Sequence, residues 1–93
     1  MSDLDAFNKR LATVLDAAYA DSPGQRPLIT YTTGPRYIRI VKSDGPASRS
    51  VYGFIDWRTG DLFKAESWTK VAKGRRGNWA DAELPCLGRY SLR

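Results

Sequence analysis

The chain has 93 residues, 42% hydrophobic and 27% charged, with a net charge of +5, one cysteine and no histidine. That length holds one small domain, and the hydrophobic balance excludes wholesale disorder. An intrachain disulfide, a histidine or multi-cysteine metal site, and the Ser/His and Cys/His pairs of nucleophilic catalysis are excluded as well.

The N-terminal segment predicts an amphipathic helix over about residues 3–20. Leu4, Phe7, Leu11, Val14, Leu15 and Ala18 recur at three- and four-residue steps with charges between them. Ser2 is placed to cap it, and Asp3 and Asp5 suit the positive end of its dipole. Asp21-Ser22-Pro23-Gly24 stops it, since a residue before proline is pushed away from helical angles. The segment carries no basic n-region followed by an apolar core, and no apolar run approaches the ~20 residues of a membrane helix. The expectation is a protein that is neither exported by an ordinary signal nor inserted in a membrane.

Leu28–Tyr31 is either an edge strand or a lead into the sheet. From Gly34 the period changes to two: Arg36–Lys42 places Ile38 and Ile40 on one face and Tyr37, Arg39 and Val41 on the other. Ser43–Ser48 (SDGPAS) has loop chemistry. Ser50–Trp57 is a second strand, Arg58–Asp61 a turn with Gly60 suited to a left-handed backbone, and Leu62–Ala65 a third strand pairing back. The fold class expected is α+β: one N-terminal helix packed on a three- or four-stranded antiparallel meander over about residues 36–65. A basic, tryptophan-bearing loop over about 66–79 and a tail over 80–93 follow, the tail opening on a helical turn at Asp81–Leu84. Cys86 reads as a small buried hydrophobe.

Charge is unevenly placed. Residues 1–22 carry four acids against two bases, residues 26–50 five bases against Asp44, and residues 64–79 five bases against Glu66. Any anionic partner should meet the middle of the chain. The five bases of the last stretch, Lys64, Lys70, Lys73, Arg75 and Arg76, interleave with Trp68 and Trp79. Such a surface can track a phosphate backbone while offering planes for bases to stack on, and it can equally grip an acidic protein surface. Trp79, beside the arginine pair, is the expected exposed stacking platform, and Trp68 is expected to close the sheet. Gly74-Arg75-Arg76-Gly77 has the GXXG spacing of backbone-clamping loops, but no long helix follows as it would in a KH domain. If the helix covers Ile38 and Ile40, the opposite face shows Tyr37 and Arg39, the pattern of several single-strand binders and of many plain wet sheet faces. An enzyme reading is poor: a carboxylate pair remains, for example Asp56 with Asp61, but both flank a turn, where Asp is favoured for bonding backbone amides.

The stretch Val51–Asn78, VYGFIDWRTGDLFKAESWTKVAKGRRGN, resembles small uncharacterised bacteriophage proteins. These carry a hydrophobic strand, a TGD turn, then K-A-x-S-W and A-K-G-x-R-x-N. The matching positions are Thr59, Gly60, Asp61, Lys64, Ala65, Ser67, Trp68, Ala72, Lys73, Gly74, Arg76 and Asn78. The resemblance implies a phage accessory protein acting in the cytoplasm of the infected bacterium; the residues themselves, with no histidine, point to a non-enzymatic protein without a cofactor. Nucleic acid, DNA or RNA, is the expected partner, through Lys64, Lys70, Lys73, Arg75, Arg76, Trp79, Arg39 and Tyr37. The alternatives are an inhibitor docking on an acidic or nucleic-acid-handling host protein or defence complex, and a minor virion component.

Overall fold

The computed structural model describes residues 3–45 and 47–93, so the capping role expected of Ser2 lies outside the described residues. The helix, α1, spans Asp3–Ala18 and buries Phe7, Leu11 and Leu15 at four-residue spacing. Tyr19 continues the apolar stripe, and a 3-10 turn at Pro23–Gln25 leads into the sheet.

Five strands follow: β1 (Leu28–Thr33), β2 (Tyr37–Gly45), β3 (Ser48–Asp56), β4 (Asp61–Ala65) and β5 (Val71–Asn78). All pair antiparallel in sequence order, an uninterrupted meander. The α+β class stands, with two corrections to the strand inventory. Leu28–Thr33 is a full strand, giving five strands in place of three or four. Much of the stretch expected to be a basic loop is β5, a strand paired with β4. Its cations hid it: on an edge strand charged side chains reach water from either face, so no hydrophobic alternation marks it. Two register shifts against β4 blur the pattern further. SDGPAS is likewise shorter as a connection than expected, because β2 runs through Gly45 and β3 begins at Ser48.

The main core lies between α1 and one face of the sheet. Ile38 and Ile40 from β2, Ile55 and Tyr52 from β3 and Leu62 from β4 meet the helix there. Ile38 pairs with Ile55 and Ile55 with Leu62, so the register carries one apolar row across three strands. Between Ile40 and Val41 the β2–β3 register shifts, which lets both Tyr52 and Gly53 occupy the helix side.

The tail completes this core. Leu92 lies over Gly53 so closely that a Cβ there would overlap it, and the Leu92 amide donates to the Tyr52 carbonyl at 2.9 Å. The Tyr52 hydroxyl donates to the Gly88 carbonyl at 2.6 Å. Cys86 and Leu87 are buried in the same cluster, as expected for the cysteine. The helical turn expected at Asp81–Leu84 does not form. Arg10 of α1 donates instead to the carbonyls of Trp79, Asp81 and Ala82 at 3.2, 2.6 and 3.1 Å, acceptors that helical bonding would have needed. Arg89 donates to the Ala18 carbonyl at 2.8 Å, satisfying the C-terminal end of α1.

Candidate functional site

The face of the sheet turned away from α1 carries the residues of interest. By alternation and register, Tyr37, Arg39 and Val41 of β2 share it with Arg49, Val51 and Phe54 of β3, Phe63 of β4 and Arg75 of β5. Val41 and Phe54 are buried yet stand outside the main core cluster, so this face holds a second, small apolar layer. The Tyr37 ring meets Phe54 and Phe63 edge to face, at centroid distances of 6.2 and 5.9 Å.

Cations sit over these rings. Arg36 lies 5.1 Å from the Tyr37 centroid and Arg39 6.0 Å from that of Phe54. The β4–β5 connection folds back so that Trp68 comes 4.9 Å from Arg39 and 5.6 Å from Arg49. Arg39 Nε also donates to the Trp68 carbonyl at 2.8 Å, which pins the connection to the sheet. Trp68 remains 40% exposed. The result is an indole with two guanidinium groups close to its ring, held on the sheet and still partly open to solvent.

The sequence-named residues divide. Tyr37, Arg39 and Arg75 share the face away from α1. Lys70 belongs to the connection beside it, paired with Glu66 at 2.9 Å. Lys73 is exposed on β5, and Arg76 takes the extra position of a bulge between the Leu62–Gly77 and Phe63–Arg75 pairs. Lys64 alternates to the other side of β4 from Phe63. Of the GXXG glycines, Gly74 is open whereas Gly77 packs near the Cys86 sulfur, so only one leaves room for a close backbone approach.

The tryptophan assignment is reversed. Trp79 packs against the main core, and its ring covers Gly60, so it is not an exposed platform. Trp68 and Trp57, at 40% and 45% exposure, are the open indoles. Sequence gave no sign of this, because Gly60 and Trp79 are nineteen positions apart and their contact needs the β4–β5 pairing. Arg49 and Phe63 were missed as well. The extra residue at Tyr52 breaks the period of two between Arg49 and Phe54, and Phe63 joins their face only through the β3–β4 register, so alternation along the chain could not find them.

The two aspartates of the turn are bound up in local structure. Asp56, buried, accepts from the Arg58 amide at 3.0 Å and from Arg36 Nε at 3.4 Å. Asp61 accepts from Asn78 Nδ2 at 3.0 Å and pairs with Arg75 at 3.3 Å. Those bonds, the Asn78 one foremost, hold its carboxyl below the ordinary 3.8. Asn78 also donates to the Thr59 carbonyl at 2.7 Å, and the Asp61 amide to Thr59 Oγ1 at 3.2 Å. Thr59, Asp61 and Asn78 thus form one self-satisfied clamp between the β3–β4 turn and the end of β5. Burial pushes the Cys86 thiol up, away from a reactive thiolate.

Four cations are paired with carboxylates: Arg26, Arg36, Lys70 and Arg75. Among the described residues Arg39, Arg49, Lys73 and Arg76 form no ion pair, which leaves their charge available to a partner. No helix among the described residues is long and apolar enough to cross a membrane.

Fold and surface together define a small α+β protein: a helix on a five-stranded meander, with an arginine- and aromatic-lined face opposite. The chain belongs to a family of unknown function, DUF7717, whose model matches residues 5–86. That span takes in nearly all of α1 and every strand. No curated protein matches the chain, and no solved structure matches it either.

Proposed function

We propose that this is a small, non-enzymatic phage accessory protein that binds nucleic acid with the sheet face opposite α1, in the cytoplasm of the infected cell. The observation that carries the reading is Trp68, exposed and close to both Arg39 and Arg49. A base can stack on the indole while the guanidinium groups and the nearby Lys70, Lys73, Arg75 and Arg76 meet phosphates. The phage assignment draws on the resemblance of Val51–Asn78, and the polyanion preference on the net charge of +5.

Fluorescence anisotropy with labelled oligonucleotides tests it. Affinity should fall steeply between about 50 and 200 mM salt, with a log–log slope of about −0.7 per phosphate contacted on a single strand. Absence of binding at the low-salt end would sink the reading.

One observation favours docking on a host protein. β1 is an edge strand without a charged residue, and its Leu28 is 68% exposed. An extended segment of a partner could add there as a sixth strand. This reading requires a nuclease-resistant complex with one bacterial protein that is lost in the Leu28→Lys, Thr30→Lys variant.

A further inference from the structure

Resting on the nucleic-acid reading, we infer that the pocket between the two edges of this face takes one unpaired nucleobase, so that the protein selects single strands over duplex. The pocket has a volume of about 190 Å³. That is below the roughly 300–1,000 Å³ of sites for drug-sized ligands, and suits a single planar ring system.

Its construction fits a base better than a phosphate. The floor is apolar, from Tyr37 and Phe54, and Val71 at the start of β5 forms one wall. Thr32 from β1 and Thr69 from the β4–β5 connection also line it, and a threonine hydroxyl can serve the polar edge of a base as donor or acceptor. Arg36 and Arg39 complete the lining, and the Arg36 side chain is 59% exposed. Both can reach the phosphates on either side of an inserted base. Arg39 joins this pocket to Trp68, its other ring neighbour, so adjacent nucleotides can use the two sites in turn. A paired base inside a duplex cannot enter without being extruded, which costs a few kcal/mol.

The experiment compares an unpaired labelled oligonucleotide with its duplex, using wild type and two pocket-filling variants from opposite walls, Val71→Phe and Thr32→Phe. Neither residue belongs to the main core, and thermal melts identify any variant that fails to fold. If one is lost, the other carries the test. The expected result is a single-strand preference of at least about tenfold in wild type, the size of one stacked base. That preference should fall towards unity in the filled variants, with duplex affinity unchanged. If wild type binds both forms equally, or filling leaves single-strand affinity intact, the pocket assignment is overturned while the interface stands. If neither form binds at low salt, both are overturned.

Discussion

The indole of Trp79 covers Gly60, and the Trp79 amide donates to the Gly60 carbonyl at 2.9 Å. This contact ties the turn between β3 and β4 to the end of β5, and holds the second tryptophan of the basic stretch, partly buried, against the core. Gly60 has φ of 82°, where a side chain is strained even in open space. Both the backbone angle and the absence of a side chain are therefore required here.

Gly60→Ala should lower stability by about 2–4 kcal/mol, combining backbone strain with displacement of Trp79. Denaturant unfolding measures it. In a Trp79→Ala background the same change should cost only the backbone part, about 1 kcal/mol.

Asp61 is held as carboxylate by Asn78, Thr59 and Arg75. Its folded pKa is depressed, so the stability it contributes is complete above the ordinary value of 3.8 and lost as pH falls through the folded pKa. Carboxyl NMR titration should place its midpoint below 3.8, and Asn78→Ala should move the midpoint upward. An unmoved midpoint would refute the clamp.

Tyr52 gives the opposite dependence. Burial raises its hydroxyl pKa above the ordinary 10.0, because ionising it would leave a charge in the core. The stability this represents is present below pH 10 and lost as pH rises from there towards the folded pKa. Tyr52→Phe should cost about 1–3 kcal/mol by orphaning the Gly88 carbonyl, and should delay alkaline unfolding. Melts at neutral and alkaline pH check both.

Arg10 holds the tail through three carbonyls. Arg10→Met should cost about 1–3 kcal/mol, since hydrogen bonds from a charged donor are the stronger kind. Hydrogen exchange should quicken after Asn78 while β1–β3 stay protected, a localised effect that a general loss of packing would not give.

Trp68→Ala should change stability by less than about 1 kcal/mol, because the ring is 40% exposed and stands apart from the main core, yet weaken single-strand binding by about 1–3 kcal/mol. Arg49→Ala should weaken binding and flatten its salt dependence. Tyr90→Ala is the control: that ring is 67% exposed and sits with Lys42 on the tail side of the sheet. Equal losses for Trp68 and Tyr90 would point to charge attraction spread over the whole protein.

The amino-acid sequence alone determined α1, whose three- and four-residue apolar spacing admits one face, the existence of β2 to β4, and the alternation in β2 that puts Ile38 and Ile40 on one side. It also determined the excess of positive charge and the turn at Gly60. Periodicity reports which side of an element is apolar, which is clear in α1 and the start of β2 and is lost in β3, where consecutive residues are buried. Strand pairing, by contrast, makes Val71–Asn78 a strand, packs Trp79 against the core while Trp68 stands apart from it, and brings Arg39, Arg49, Phe54 and Phe63 to one face. Those outcomes depend on hairpin register and on which glycine a distant ring can approach. Both are set by pairing between strands, and neither leaves a period along the chain.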